Sequence, residues 1–273
     1  MNWLFLFITG ISSTLVISAI ATELYLNNYP SQSENTSYVS SNVRDRNVLA
    51  PKYIEKQAKA STVKVFAGQS SGSGTLVGKK DGVYTVVTNR HVLIFSKDRT
   101  YKIKTPDGKV HSAKTSKAVD FKDYDLALLQ FSSDKPYKIA SLSAIPSSLS
   151  LEEKKVFSVG FPIEMEGEID IPGFYFTDGY IAQFSQREFG GGYQIGYTNS
   201  VEKGMSGGAL LDDEGKVIGI NGMHKYPLWG NPYQFRDGSL ATKEQQEEMS
   251  QLAWAIPINT FLKLAPQFSQ TSN

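Results

Sequence analysis

The sequence predicts an all-β protein in which short strands form a barrel or a sandwich. Turn signals recur at intervals of roughly ten residues, a spacing typical of these folds. The composition agrees, because 14 Tyr and 15 Phe favour strands while 23 Gly and 11 Pro favour tight turns. Helical periodicity is scarce, and the clearest helix is expected late in the chain, over 260–268.

The first segment of the chain is expected to lie outside the folded domain. Residues 1–22 carry no charged side chain, and the small residues Ala19 and Ala21 form the pattern of a signal-peptide cleavage site. An uncleaved membrane anchor is the alternative, since about 20 apolar residues can span a bilayer. Both interpretations predict an extracytoplasmic protein, periplasmic or secreted. Residues 23–50 are polar and rich in Ser and Asn, which predicts a flexible linker.

The folded domain is expected to begin near Pro51 with a short helix and to end at Pro266, which leaves 267–273 as a tail. Asp81-Gly82 is a strong hairpin signal early in this domain. Asn259 is the expected N-cap of the late helix. Runs typical of β-strands lie at 61–68, 72–78, 83–89, 101–104, 110–116, 126–131, 155–160, 178–185, 193–199, 209–211, 216–220 and 253–256.

Composition excludes several classes of function. The 273 residues include no Cys, so the chain has neither disulfides nor zinc sites built on thiolates. The formal net charge is +1, with 28 Lys and Arg against 27 Asp and Glu. Nucleic-acid binding needs clustered positive charge, which this balance does not provide. We therefore expect no nucleic-acid partner, no metal and no cofactor.

Three residue types that handle charge together stand at three strand boundaries, in the order His, Asp, Ser. His91 follows the β-type run VYTVVTN, Asp125 precedes an apolar run, and Ser206 lies in the Gly-rich stretch KGMSGGALL. A carboxylate at the mouth of a buried strand needs a partner to offset its desolvation, and an imidazole is a suitable one. Asp123 is the alternative acid, since it would face the same way on an extended segment. Asp125 is preferred because it adjoins the apolar run.

Four sequence stretches in this order resemble the trypsin-like serine peptidases, in particular the disulfide-free bacterial branch that includes the Deg/HtrA proteases and the glutamyl endopeptidases. They are SGSGTLV with YTVVTNRHVL, then DYDLALL, KGMSGGALLDDEGKVIGING and LAWAIPINTFL, and the resemblance covers about 60–264. The resemblance implies two six-stranded antiparallel β-barrels, at about 51–140 and about 141–266, with a C-terminal helix. Since few residues follow Pro266, we expect no PDZ domain of the kind that Deg/HtrA proteases append.

The resemblance also implies a reaction and the residues that perform it. Ser206 would be the nucleophile, His91 the general base, and Asp125 the acid that orients the imidazole. Backbone N–H groups of Gly204 and Ser206 would form the oxyanion hole. The implied function is a serine endopeptidase that acts on polypeptides. A catalytically inactive, peptide-binding member of the same fold is the alternative.

The expected substrate pocket contains Ser200, Asn221 and Gly222. Ser200 lies six residues before Ser206, where relatives that prefer Lys or Arg carry an acid, so no counter-charge is visible at the pocket base. Asn221 stands where the glutamyl endopeptidases carry a substrate-sensing His. These residues together predict a neutral pocket. Two interpretations of His224 stay open, as a pocket residue or as an ordinary surface residue.

Overall fold

The computed structural model describes residues 49–94, 96, 98–146, 150–163, 173–225 and 232–268. The expected leader at 1–22, the expected linker up to residue 48 and residues 269–273 of the expected tail lie outside this part of the chain. No helix in the described ranges is long and apolar enough to cross a membrane.

The described part of the chain consists mainly of strands, as the sequence predicts. The strands are β1 (Thr62–Ala67), β2 (Ser70–Lys80), β3 (Val83–Thr88), β4 (Tyr101–Lys104), β5 (Val110–Thr115), β6 (Ala127–Ser132), β7 (Lys155–Gly160), β8 (Tyr175–Phe184), β9 (Ile195–Tyr197), β10 (Ala209–Leu211), β11 (Val217–Met223) and β12 (Ala253–Pro257). The helices are α1 (Pro51–Ser61), α2 (Arg90–Leu93), α3 (Lys243–Ser250) and α4 (Ile258–Leu264), followed by a 3₁₀ turn at Pro266–Phe268.

The strands close into two antiparallel barrels of six strands each, which confirms the predicted fold class. Neighbouring strands follow the order β1-β2-β3-β6-β5-β4 in the first barrel and β7-β8-β9-β12-β11-β10 in the second. The two barrels therefore share one connectivity, although the sequence has no internal repeat of fixed period. Closure pairs the edge strands with each other, so neither barrel presents an open edge for association.

Some strands of the second barrel carry buried apolar side chains on both faces. One face lines the interior of the barrel, and the other packs against the first barrel. Along β7, Val156 joins the core inside the second barrel, while Phe157 and Val159 join a cluster that also contains Val87 and Leu128 of the first barrel. Burying a side chain of this size stabilises a fold by about 1.5–3 kcal/mol. The shared cluster therefore holds the barrels against each other.

The late helix spans Ile258–Leu264, so it begins and ends earlier than the expected 260–268. Pro257 occupies the N-cap position of α4, without a side-chain cap, so the expected cap at Asn259 was wrong. The Asn259 side chain instead bonds both backbone groups of Ile145, donating to its oxygen at 2.8 Å and accepting from its nitrogen at 2.7 Å. A tertiary contact thus outweighs the local capping preference. The helix stops before Pro266, which cannot continue it.

Candidate active site

His91, Asp125 and Ser206 lie on segments next to strand ends, where the two barrels meet. His91 is in the one-turn helix α2, directly after β3. Asp125 precedes β6 of the same barrel, and Ser206 lies in the loop before β10 of the second barrel. Thr88, at the end of β3, is packed so closely against Gly207 that a side chain on that glycine would overlap it. The Ser206 loop therefore contacts the segment that carries His91.

His91 and Asp125 form a doubly hydrogen-bonded pair. The ring Nδ1 of His91 lies 2.6 Å from Asp125 Oδ2, and the backbone N–H of His91 donates to Oδ1 at 2.9 Å. The Asp125 side chain is 15% exposed and the His91 side chain 38%. A carboxylate at this depth needs such donors to offset lost hydration. With Nδ1 facing the acid as a donor, Nε2 is the ring nitrogen left to accept a proton.

The Ser206 hydroxyl donates to the backbone oxygen of Gly222 at 3.2 Å. Among the described residues, it makes no hydrogen bond with His91. Hydrogen bonds of this kind are often long or poorly aligned in unliganded enzymes and tighten in the substrate complex. Ser206 is partly buried and therefore lies near the protein surface, where the two barrels meet.

The peptide groups of the Ser206 loop have fixed directions. The Lys203 oxygen accepts from Ile163 N at 2.8 Å, and the Met205 oxygen accepts from Gly208 N at 3.0 Å. In a trans peptide the N–H points opposite to the carbonyl. The following N–H groups, those of Gly204 and Ser206, are thereby turned away from the protein's own acceptors, and within the described ranges neither has a hydrogen-bond acceptor. Unpaired N–H groups in a buried loop are uncommon and can bind an anion.

Two glycines of this loop combine a positive φ with a lack of space for a side chain. Gly204 has a φ of +97°, and a Cβ there would lie 2.6 Å from both Ile163 N and Phe161 O. Gly207 has a φ of +87°, and a Cβ there would overlap Ser73 O and Thr88 Oγ1. L-residues rarely adopt such a φ, and the space is already filled. Gly204 therefore serves the shape of the loop beside the segment after β7, and Gly207 serves its close packing on the first barrel.

The three residues expected in the substrate pocket have different surroundings. Ser200 is exposed, and its hydroxyl donates to Glu202 Oε1 at 3.1 Å. Gly222 is partly buried and contacts Ser206 through its backbone oxygen. Asn221 is fully buried inside the second barrel, where Tyr197 donates to its Oδ1 at 2.8 Å. Its Nδ2 is bonded as well, so this side chain lies in the interior of the barrel rather than in the expected substrate pocket.

His224 lies at the end of β11, close to the candidate site. Burial, and next the Lys203 ammonium, lower the pKa of His224 below its ordinary value of 6.5. The ring is therefore neutral at neutral pH. Within the described ranges, no group of three or more His, Asp and Glu side chains is arranged to hold a metal ion.

Tyr193 is a neighbour of the site that the sequence did not reveal. Its hydroxyl donates to Asp125 Oδ2 at 2.5 Å, although the two residues are 68 positions apart. Burial, and then the Asp125 carboxylate, raise the pKa of the Tyr193 phenol well above its ordinary value of 10.0. A tyrosine after a Gly-Gly-Gly stretch was the only available signal, and that pattern is not specific.

The segment before Tyr193 connects the two barrels around Asp125. Asp125 N donates to Gly191 O at 2.9 Å. Glu188 accepts from the Tyr124 hydroxyl at 3.2 Å and from Arg236 Nη1 at 2.5 Å. The Arg236 guanidinium also lies 4.2 Å from the centre of the Tyr124 ring. The backbone around Asp125 is therefore fixed by contacts with the second barrel.

Comparisons with known proteins show which family this chain resembles. The family profile described as trypsin-like peptidase domain matches residues 72–220. The chain is 24% identical over 253 residues to the serine protease Do-like HtrA of Bacillus subtilis (strain 168), covering 86% of this chain and 49% of that protein. The serine protease Do-like HtrA of Lactobacillus helveticus is 29% identical over 195 residues, covering 70% and 41%. The chain thus spans about half or less of the length of these relatives.

A solved structure has the same fold. The serine endoprotease from Yersinia pestis aligns with a TM-score of 0.57 at 18% identity, covering 82% of this chain and 68% of that one. At this identity the likeness concerns the fold alone. The profile match covers more than half of the residues and includes His91, Asp125 and Ser206. The chain therefore belongs to the family of proteins with a trypsin-like peptidase domain.

Proposed function

We propose that this protein is a serine endopeptidase that hydrolyses peptide bonds of polypeptide substrates, with Ser206 as the nucleophile. The observation that carries the proposal is the hydrogen-bonded pair of His91 and Asp125, located where the Ser206 loop packs against the end of β3. Family membership supports the same reaction class. The serine protease names belong to relatives of whose length this chain spans about half or less.

In the proposed reaction, the Ser206 oxygen attacks the peptide carbonyl while its proton passes to His91 Nε2. Asp125 keeps the proton on Nδ1 and stabilises the imidazolium that forms. When the carbon–nitrogen bond breaks, His91 gives its proton to the leaving amine, and an acyl group remains on Ser206. Water then attacks this ester with His91 again acting as base, which releases the carboxylic acid and restores the serine.

The oxyanion of the tetrahedral intermediates would bind to the N–H groups of Gly204 and Ser206. The hydrogen bonds that orient the preceding carbonyls, at Lys203 and Met205, support this proposal because they turn both donors the opposite way, where neither has an acceptor among the described residues. Donors fixed before the reaction need no reorganisation when the charge develops, which is why such sites contribute strongly to catalysis.

Peptide cleavage tests the proposal directly. The full chain and its Ser206→Ala variant are incubated with a mixed peptide library, and products are identified by mass spectrometry. We expect cleavage by the native chain and none by the variant, with thermal unfolding of the two nearly equal. Cleavage by the variant at the native rate would contradict the assignment of Ser206. The residues before each cut would also show whether the pocket is neutral, as Ser200 and Gly222 indicate.

A catalytically inactive peptide-binding protein is the second candidate. The observation that favours it is the Ser206 hydroxyl, which donates to Gly222 rather than to His91. Such a protein would retain library peptides, measurable by fluorescence anisotropy, without cleaving them. Retention with no product at any pH between about 6 and 9 would select this candidate over the peptidase.

We also propose that the protein acts outside the cytoplasm, since the apolar segment at 1–22 fits an export signal or an anchor. N-terminal sequencing of the protein from separated cell fractions distinguishes the two. A new terminus just after Ala21 would indicate a cleaved signal, and an intact terminus in the membrane fraction would indicate an anchor. Intact protein in the cytoplasmic fraction would contradict export.

A further inference from the structure

We propose that Tyr193 is a positioning residue that shares the Asp125 carboxylate with His91 and so sets the orientation and basicity of the imidazole. This inference rests on the proposed peptidase function. Tyr193 touches neither the nucleophile nor the loop of the oxyanion donors in the hydrogen bonds of the described residues. Its effect on the reaction would therefore pass through Asp125.

The Asp125 carboxylate has three donors, and they divide between its two oxygens. Oδ1 accepts from the His91 backbone N–H at 2.9 Å. Oδ2 accepts from the His91 ring at 2.6 Å and from the Tyr193 hydroxyl at 2.5 Å. The imidazole and the phenol therefore compete for charge on the same oxygen. A donor to a carboxylate stabilises its negative charge and weakens its hold on a neighbouring proton.

Two glycines make room for the phenol. A Cβ on Gly222 would overlap the Tyr193 hydroxyl. A Cβ on Gly191 would lie 3.0 Å from the Tyr193 ring and 3.1 Å from Asp125 Cβ. A side chain at either position would displace the ring from the carboxylate. The space beside Asp125 is thus shaped for the tyrosine.

The contact also joins the two barrels. Asp125 and His91 belong to the first barrel, whereas Tyr193 precedes β9 of the second barrel. The hydroxyl can reach Oδ2 only when the barrels are packed as in this structure. Since Ser206 is also on the second barrel, the same packing brings the nucleophile and the third donor to the His91–Asp125 pair.

The other titratable groups near Asp125 interact with residues other than Asp125. Tyr197 lies beside Tyr193 within the second barrel and donates to Asn221. His224 interacts electrostatically with Lys203, Glu202 and His91. Tyr124, next to Asp125 in the chain, is bonded to Glu188 near Arg236. All of these groups are unchanged by a substitution at Tyr193, so a change in titration can be assigned to the phenol.

The test is an NMR titration of the His91 ring in Tyr193→Phe and in a matched control, Tyr84→Phe. Tyr84 is also fully buried, but its hydroxyl donates to Lys135 O in the first barrel, at 2.8 Å. Without the phenol, more charge on Oδ2 is available to the imidazolium. The titration midpoint should therefore rise by about 0.5–1 pH unit in Tyr193→Phe and stay unchanged in Tyr84→Phe. An equal midpoint in wild type and Tyr193→Phe would overturn the proposal.

Kinetics give a second readout. In Tyr193→Phe, kcat/KM should fall by roughly 10-fold, and the acid limb of its pH profile should move to higher pH by the same amount as the NMR midpoint. Tyr84→Phe should keep the wild-type profile. If wild type cleaves no peptide, the proposed function fails, yet the NMR titration still tests the Tyr193 contact. The two failures are therefore distinguishable.

If Tyr193→Phe does not fold, the wild-type protein still tests the geometry. Two protons bound for the same oxygen lie close together, so a nuclear Overhauser effect is expected between the Tyr193 hydroxyl proton and the His91 Nδ1 proton. Both resonances should change in Asp125→Asn. A wild-type spectrum in which the Nδ1 proton is observed without this effect would overturn the proposal.

Discussion

The hydroxyl of Ser73 in the first barrel donates to the backbone oxygen of Gly204 in the second, at 2.8 Å across 131 residues. The same hydroxyl accepts from Phe161 N at 2.7 Å, and Ser73 is fully buried. Ser73 O and N are bonded as well, to Thr88 Oγ1 and to Ser206 O. One serine of β2 therefore fixes the loop that carries the proposed nucleophile and oxyanion donors.

Replacement of Ser73 should weaken catalysis more than binding. Ser73→Ala leaves Gly204 O and Phe161 N without their partner, so the peptide groups of the loop are no longer fixed. We expect kcat to fall by roughly 10-fold with KM nearly unchanged, and stability to fall by about 1–3 kcal/mol. Ser158→Ala is the control, because this buried hydroxyl bonds Asn221 at 2.9 Å inside the second barrel. Equal losses of kcat in both variants would contradict a role for Ser73 in shaping the loop.

The close packing at Gly207 predicts a large difference between two glycine substitutions. Both Gly207 and Gly215 have a positive φ, +87° and +75°. A Cβ on Gly207 overlaps Ser73 O, whereas a Cβ on Gly215 stays 3.6 Å from its nearest neighbour, on Ile54. Gly215→Ala should lower the free energy of unfolding by about 1 kcal/mol through the dihedral strain. Gly207→Ala adds the overlap and should lower it by at least about 2 kcal/mol more. Urea unfolding measures both, and similar losses would contradict the packing described.

Substitution of the two neighbouring acids distinguishes the orienting residue. Asp125→Asn replaces an acceptor by an amide that favours the wrong imidazole tautomer, so kcat should fall on the order of 10⁴-fold. Asp123 is 87% exposed and lies 3.9 Å from Arg236, so Asp123→Asn should leave kcat within about two-fold of the native value. Steady-state kinetics on one peptide substrate compares them. A loss confined to Asp123→Asn would transfer the role to that acid.

The buried phenol of Tyr193 should make the fold sensitive to alkali. Its pKa is raised in the folded state, so above pH 10 the unfolded chain releases a proton that the folded chain retains. The neutral phenol thus favours the fold below pH 10, and this contribution is lost as the pH rises further. Between its unfolded and folded pKa values, one such phenol lowers the free energy of unfolding by about 1.4 kcal/mol for each unit of rising pH. The free energy of unfolding is measured against pH in a Ser206→Ala background, which prevents self-cleavage. Tyr193→Phe should make this slope shallower by the same amount.

The control for the alkaline experiment is Tyr180→Phe, which removes a phenol that is 53% exposed. Its slope should equal that of the parent protein between about pH 10 and 11.5. A Tyr193→Phe slope indistinguishable from that of Tyr180→Phe would mean that the phenol ionises freely in the fold, contrary to its burial against Asp125.

Local patterns predicted much of the fold. The strand at Tyr101–Lys104 has the predicted bounds, and the two-barrel architecture implied by the family resemblance is confirmed. The side chains of His91 and Asp125, placed at strand boundaries by sequence, lie in contact. The strand bounds follow from short-range rules, since turn residues and alternating apolar positions act within a few residues. The two barrels and the pairing of His91 with Asp125 were implied by the family resemblance.

Features that depend on the packing of distant segments were not predictable. Asn221 continues an apolar run, and nothing local indicates that its amide is bonded inside the barrel. Asn259 has the chemistry of a cap but bonds Ile145 instead. Tyr193 and Ser73 gain their partners only when the two barrels meet. A single sequence carries no signal for contacts between residues so far apart.

Covalent labelling by a fluorophosphonate tests the central claim most directly, because the reagent reacts with a serine only when a base activates it. The full chain, Ser206→Ala and Asp125→Asn are treated in parallel, and the modified residue is located by mass spectrometry of the digest. We predict rapid modification at Ser206 in the native chain, none at that position in Ser206→Ala, and labelling slowed on the order of 10³–10⁴-fold in Asp125→Asn. A folded native chain that remains unlabelled, or one labelled at another serine, would contradict the account.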